Sequence, residues 1–153
     1  MLFKILLGLS ALLGATAAPA PEAQTLVSRQ SSGIMSMTGF RNGCSPGGCI
    51  ATFTASAADG YEPGAPGFSF LCQPIFGRTY WQPCQPTEGT TPQLGSAVSA
   101  IFLGGHEYQN DTFYLSHTFS NSGLNWNITA YVEGDRDAKS FTLPVISIQA
   151  ASA

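Results

Sequence analysis

The chain has 153 residues, of which six are Lys or Arg and nine are Asp or Glu, and charged residues make up only 10% of it. From Gln30 onward four basic and eight acidic residues remain, so the chain lacks the excess of positive charge that a nucleic-acid-binding domain carries. No apolar run after the N-terminal segment is long enough to span a bilayer as a helix. We therefore expect neither a nucleic-acid partner nor a membrane-embedded mature form.

The first 18 residues have the features of a secretory signal peptide. Lys4 precedes an apolar run over residues 5–15, and the small residues "ATAA" end that run. A basic start, an apolar centre and a small-residue end are typical of a cleaved leader. A membrane anchor is disfavoured because the run is too short to cross a bilayer and no basic stop follows it. We predict a signal peptide at residues 1–18 and a secreted, extracellular protein.

A flexible pro-segment or N-terminal tail is predicted at residues 19–32. The stretch "PAPEAQTLVSR" is rich in Pro and Ala and shows no hydrophobic period. Arg29 is either a processing point or part of a tail that stays attached, and the sequence leaves both open. A single domain is expected over residues 33–150, a length sufficient for its own core.

The domain itself reads as an all-β chain. Short runs rich in Thr, Phe, Tyr, Val and Ile alternate between apolar and polar residues, and clusters of Gly, Pro and Asn separate them. In chain order the runs are "GIMSMTGF", "CIATFTASA", "GFSFLC", "SAVSAIFLG", "TFYLSHTFS", "NWNITAYVE" and "SFTLPVISIQ". In the last run the apolar face shifts after Pro144, as an edge strand or a bulge would require. We predict a small antiparallel β-sandwich or β-barrel of about seven to eight strands.

Four cysteines follow the leader: Cys44, Cys49, Cys72 and Cys84. An even count in a secreted chain favours disulfides, and four cysteines allow three ways of pairing. Pairing of near neighbours is favoured because "SPGG" lies between the first two, and a loop containing Gly77 lies between the others. The spacings C-x4-C and C-x11-C do not fit a zinc knuckle. We therefore predict a disulfide-closed hairpin over "FLCQPIFGRTYWQPCQP" and neither a metal nor a cofactor.

No catalytic constellation is visible in the sequence. His117 shares a strand face with Phe113, Leu115 and Phe119, which favours a core or lumen histidine, and His106 lies in a predicted turn after "LGG". Neither a G-x-S-x-G elbow nor an H-E-x-x-H motif is present. The run "EGDRD" at residues 133–137 lacks the spacing of an EF-hand and is interpreted as a charged hairpin tip. We expect no enzymatic activity and no catalytic residues.

Aromatic residues in loops are the stronger functional signal. Tyr61, Phe76, Tyr80 and Trp81 lie in or beside segments rich in Gly and Pro. Tyr and Trp offer large contact areas at low entropic cost, so a rigid loop that carries them suits recognition. The alternative for Trp81 is that it packs onto its own disulfide as a small core.

Two sequons are consistent with a secreted chain. "NDT" begins at Asn110 and "NIT" at Asn127, and both match the acceptor motif for N-linked glycans. The alternation turns Asn127 away from the face that carries Trp126 and Ile128. Asn110 and Asn127 are therefore candidate glycosylation sites.

The strand "CIATFTASA", followed by "FSFLC" and then "YWQPC", resembles the fungal secreted family typified by the major Alternaria allergen. The resemblance implies a small β-barrel without known enzymatic activity that engages host defence proteins as an allergen, elicitor or effector. It also implies binding of flavonoid-like small molecules by some members. No cysteine lies between Gln30 and Gly43, and the Cys44–Cys49 pair stands in place of the family's C-terminal disulfide, so a covalent dimer is not expected.

These observations lead to one functional expectation and two alternatives. We expect a secreted, non-enzymatic fungal effector or elicitor that recognises a host extracellular protein through aromatic loops, with Phe76, Tyr80, Trp81 and Tyr61 as candidate contacts. The first alternative is a small secreted hydrolase or ribonuclease that uses His106 or His117 with a carboxylate. The second is a carrier of small apolar or flavonoid-like ligands inside the barrel.

Overall fold

The computed structural model describes residues 31–104 and 110–152. The predicted signal peptide, residues 19–30 of the predicted tail, Arg29 and His106 lie outside the described residues. Within them the chain forms strands and no helix, which confirms the predicted all-β class. The strands are β1 (Ile34–Ser45), β2 (Gly48–Ala57), β3 (Phe68–Cys72), β4 (Gln82–Pro83), β5 (Gln85–Pro86), β6 (Ala97–Phe102), β7 (Asn110–Asn121), β8 (Leu124–Asp135) and β9 (Ser140–Ser152).

The described strands form one antiparallel sheet in the order β4-β6-β7-β8-β9-β1-β2-β3-β5. The two ends of this order, β4 and β5, are separated in the chain only by Cys84. The segment Gln82–Pro86 therefore joins one edge of the sheet to the other, and we call it the closing strap. It turns the sheet into a nearly closed barrel and leaves little unpaired edge.

The closing strap accounts for the difference between the predicted seven to eight strands and the nine observed. Gln82 and Pro83 pair with β6, whereas Gln85 and Pro86 pair with β3. Each piece is two residues long, which is too short to show an alternating pattern. The predicted hairpin is thus only half right, because the returning chain pairs with β3 for two residues and with β6 for the two before them.

Both disulfides join near neighbours in sequence, Cys44 to Cys49 and Cys72 to Cys84. Cys44 and Cys49 face each other across the β1–β2 hairpin. Cys72 is fully buried at the end of β3, and its bridge fastens the closing strap to the sheet. On the other side of the strap, the N–H of Cys84 donates to the carbonyl of Val98 at 2.9 Å.

The barrel interior is filled by aromatic side chains. The Phe113 ring stacks on Phe102, with ring centres 4.9 Å apart, and meets Phe40 and Phe53 edge-on at 5.2 and 5.6 Å. Such offset and edge-on pairs add to the gain from burying apolar area. These rings occupy the space that a ligand carried inside the barrel would need.

The last strand contains the break in alternation that the sequence predicts after Pro144. Phe141, Leu143 and Val145 are buried, and the next buried residue is Ile148. The pairing of β9 with β8 shifts register between Val145 and Ser147, so a bulge lies at Ile146, after Pro144. β9 is an interior strand between β8 and β1, so of the two predicted alternatives, an edge strand or a bulge, the bulge is the one observed.

Candidate recognition surface

The loop that leads from β3 to the closing strap, residues 73–81, is fixed by backbone hydrogen bonds to two different strands. We call it the aromatic loop. The N–H of Phe76 donates to the carbonyl of Cys49 at 2.9 Å, and the N–H of Gly77 donates to the carbonyl of Phe102 at 3.0 Å. The loop therefore spans from β2 to β6 across the end of the barrel. Gly77 has a φ of 75°, a conformation that glycine adopts at little cost.

A side-chain amide holds the two ends of the aromatic loop together. The Ile75 N–H donates to Gln82 Oε1 at 2.9 Å, and Gln82 Nε2 donates to the Ile75 carbonyl at 3.2 Å. These two hydrogen bonds imitate the pairing of a strand and hold the loop in one shape at this position. Sequence reasoning missed Gln82, because a lone Gln beside Trp81 carries no signal of such a contact.

The aromatic residues of this loop are partly exposed to solvent. The exposed fractions are 36% for Phe76, 58% for Tyr80 and 40% for Trp81. Phe76 packs edge-on against Phe102 with ring centres 5.6 Å apart, so its other side faces out. Two fifths of the Trp81 side chain is exposed, and the remaining three fifths is buried against the protein.

Aliphatic side chains extend the exposed apolar area around the loop. Ile50 forms an isolated antiparallel bridge with Ile75, and both side chains are more than a third exposed. Leu103 follows the strand residue that accepts the hydrogen bond of Gly77, and it is 38% exposed. We define the loop face as Ile50, Ile75, Phe76, Tyr80, Trp81 and Leu103. Arg78 is the one charged residue between Cys72 and Cys84.

Tyr61 does not belong to this surface, although the sequence grouped it with the other loop aromatics. Its hydroxyl lies 2.8 Å from His117 Nδ1, and its ring packs edge-on against Phe68 at 5.9 Å. Burial, with the charge of the adjacent Glu62 adding to it, raises the pKa of Tyr61. The residue therefore stays a neutral phenol that supports the interior, because the loop between β2 and β3 folds inward at this point.

His117 is fully buried and has a hydrogen-bond partner at each ring nitrogen. Ser96 Oγ lies 2.8 Å from Nε2, and the Tyr61 hydroxyl lies 2.8 Å from Nδ1. Burial lowers the pKa of His117 to about 4, because desolvation penalises the charged ring. The ring is thus neutral near pH 7 and serves as a satisfied polar group within the aromatic core, as the alternation of β7 predicts. Ser96 was missed, since it lies 21 residues away in the chain.

The acidic run at residues 133–137 ends β8 and forms the turn before β9. The backbone N–H of Asp137 donates to Asp135 Oδ1 at 2.9 Å, which closes the turn. Arg136 Nε lies 3.5 Å from Oδ1 of the buried Asp111. Burial raises the pKa of Asp111, while the charge of Arg136 lowers it. Within residues 31–104 and 110–152 no group of three or more His, Cys, Asp or Glu side chains is arranged to hold a metal ion.

The two sequon asparagines lie at different levels of exposure. Asn110 is exposed at the start of β7, and its Nδ2 lies 3.5 Å from Glu133 Oε1. Asn127 is half-buried on β8, and its Oδ1 accepts a hydrogen bond from Ser116 Oγ at 2.7 Å. That bond occupies the amide oxygen and not the nitrogen to which a glycan is attached.

Comparison of the chain with protein-family models, with curated proteins and with solved structures found no match in any of the three. In the described part of the chain no helix has the length and apolar character needed to cross a membrane.

Proposed function

We propose that this protein is a secreted recognition protein of fungal origin, without catalytic activity, that binds a host extracellular protein through the loop face. The observation that carries the proposal is the aromatic loop itself: Phe76, Tyr80 and Trp81 are exposed, while the backbone beneath them is fastened to β2, β6 and Gln82.

Preorganisation is the physical reason why such a loop suits binding. Association costs free energy for every side chain and loop that becomes ordered, so a loop already held in one shape loses less on binding. The Cys72–Cys84 disulfide and the paired hydrogen bonds of Gln82 supply that order before a partner arrives. Trp, Tyr and Arg are also the residues that most often dominate the energy of protein interfaces, and the loop carries all three.

The composition of the loop face indicates the chemistry of its partner. Its contact residues are apolar or aromatic, and the single charge beside them is the guanidinium of Arg78. A complementary surface would offer an apolar recess for Trp81 and a carboxylate near Arg78. An extracellular defence protein of the host with such a recess is the partner that the family resemblance favours.

Secretion is part of the same proposal. Two disulfides link the described chain, and disulfides persist mainly in oxidising compartments. A leader at residues 1–18 and glycans at Asn110 and Asn127 would complete the character of an extracellular protein.

The alternatives find less support in the geometry. A hydrolase that used His117 as its base would need the ring to reach substrate, and it is buried with both nitrogens occupied. A carrier with its ligand inside the barrel would have to displace the phenylalanines packed around Phe113. Neither arrangement offers a reacting group or an open lumen at the described positions.

The proposal is tested by capture from host extracellular fluid, with the oxidised protein and its variants as bait. Trp81→Ala and Tyr80→Ala remove the two largest exposed rings, and Leu94→Ala, at a side chain that is 95% exposed outside the loop face, is the matched control. We expect a specific host protein that binds wild type and Leu94→Ala equally, and that Trp81→Ala binds at least about tenfold more weakly. Equal capture by all variants, with circular dichroism confirming the fold, would exclude the loop face as the binding surface.

A further inference from the structure

A surface cavity of about 310 Å³ lies at the end of the β1–β2 hairpin and shares no lining residue with the loop face. Its walls come from two stretches of chain, the second half of β1 and the turn between β8 and β9. The lining residues are Phe40, Arg41, Asn42, Cys44, Arg136, Asp137 and Lys139. We call it the basic cavity.

Positive charge is concentrated in this cavity to an unusual degree. After residue 30 the chain contains four basic residues, Arg41, Arg78, Arg136 and Lys139, and three of them line the basic cavity. The domain as a whole carries more acidic than basic residues. Arg136 and Lys139 lie in the same turn between β8 and β9, and Arg41 joins them from β1.

The fold directs these cations to one place by means of a bulge. Gly39 has a φ of 66°, and the pairing of β1 with β2 shifts register between Thr38 and Arg41. A bulge re-aims the side chains that follow it, and here Phe40 is buried while Arg41 is exposed. The N–H of Phe40 donates to the carbonyl of Lys139 at 3.0 Å, which joins the two walls of the cavity.

Three acidic residues lie in or beside the cavity, and two of their carboxylates are already engaged within the fold. Asp137 is in the wall, and Asp111 lies beneath it against Arg136 Nε. Asp135 is engaged in closing the turn through its contact with the Asp137 N–H. Arg41, Lys139 and Asp137 are all exposed, so a ligand in solution meets two positive charges and one negative charge.

We propose that the basic cavity binds a small oxyanion, a phosphoryl or sulfuryl group, between Arg41 and Lys139. A guanidinium donates two parallel hydrogen bonds to such a group, and an ammonium adds a compact point charge. The concave wall over Phe40 excludes part of the solvent, which strengthens both interactions relative to an open surface. This site is independent of the loop face and of the recognition proposed for it.

The test is a titration of the full oxidised chain with sodium pyrophosphate and, separately, with a sulfated disaccharide, followed by NMR chemical shifts of the backbone amides. We expect saturable binding with a Kd of about 1 mM or tighter, weakening as salt is raised. The shifts should concentrate at Phe40–Asn42 and at residues 136–139. Saturation by one probe alone assigns the site to that group, and saturation by both assigns it to their shared oxyanion chemistry.

Variants that each remove one positive charge distinguish a specific anion site from nonspecific electrostatic attraction. Arg41→Gln and Lys139→Gln should each weaken binding at least about fivefold, because each removes a charge-assisted contact. Arg78→Gln removes the same charge from the aromatic loop and should leave the Kd unchanged. The proposal is overturned if neither probe saturates by about 10 mM, or if all three variants weaken binding to the same extent.

Discussion

The two disulfides occupy regions of opposite character. Cys44–Cys49 links adjacent strands that a two-residue turn already holds together, and Cys44 is exposed. Cys72–Cys84 fastens the closing strap to β3, and Cys72 is fully buried. The first bridge therefore reinforces a hairpin that is already paired, whereas the second completes the barrel.

The difference also separates the two proposed surfaces. The aromatic loop lies within the ring closed by Cys72–Cys84, so its shape depends on that bridge. The basic cavity borders Cys44, but its walls are joined by the pairing of β1 with β9 and by the Phe40–Lys139 hydrogen bond. Breaking one bridge should thus impair the loop face, while breaking the other should leave both surfaces in place.

The largest effect is expected from the double variant Cys72→Ala and Cys84→Ala. Loss of the bridge raises the conformational entropy of the unfolded chain, and it leaves a cavity where the buried sulfur was. We expect the free energy of unfolding to fall by about 3–4 kcal/mol, together with loss of binding through the loop face. Chemical denaturation monitored by tryptophan fluorescence measures the first quantity. A loss below about 1 kcal/mol would show that the strap's hydrogen bonds close the barrel without the disulfide.

Two buried titratable groups, His117 and Asp111, should make stability depend on pH with opposite signs. The pKa of His117 is about 4 in the fold and about 6.5 in an unfolded chain. Between these values the unfolded chain binds a proton that the folded chain does not. Stability is therefore complete above pH 6.5 and falls as the pH is lowered to 4, by on the order of 3 kcal/mol.

Denaturation at several pH values checks this dependence, with His117→Gln as the variant that should flatten it. Asp111 has a raised pKa, so its contribution has the opposite sign and is lost as the pH rises. Asp111→Asn should therefore keep the fall between pH 6.5 and 4 and make it steeper. An equal fall in the His117→Gln protein would assign the effect to another group.

The smaller effect is expected from Cys44→Ala with Cys49→Ala. The bridge closes a short loop between residues that pair directly. Its removal therefore adds little conformational entropy to the unfolded chain. We expect a loss of about 1–2 kcal/mol and unchanged capture of a partner by the loop face. A loss equal to that of the Cys72–Cys84 variant would remove the distinction between the two regions.

Much of the fold follows from local pattern. The alternation along "TFYLSHTFS" places Phe113, Leu115 and His117 inside, and the structure has them there. The short spacing of the cysteines favours the pairing that is observed. Both features depend on residues that are close in sequence, which is why a pattern of period two and a turn composition suffice to predict them.

The features that required the structure depend on contacts between distant residues. The closing strap has a Gln and Pro composition with no strand propensity, and it pairs only because closure of the barrel supplies a partner on each side. Tyr61 and His117 are 56 residues apart, and Arg41 and Lys139, which line the same cavity, lie on β1 and just before β9. No local sequence pattern encodes such tertiary contacts, so the placement of Tyr61 and the basic cavity could not be predicted.

The central claim is that the loop face is the surface that binds a partner. The most direct measurement is the affinity of a captured host extracellular protein for wild type, Trp81→Ala and Leu94→Ala in the oxidised state. The account predicts that Trp81→Ala weakens binding at least about tenfold, whereas Leu94→Ala matches wild type. Equal affinities for all three folded proteins would contradict it.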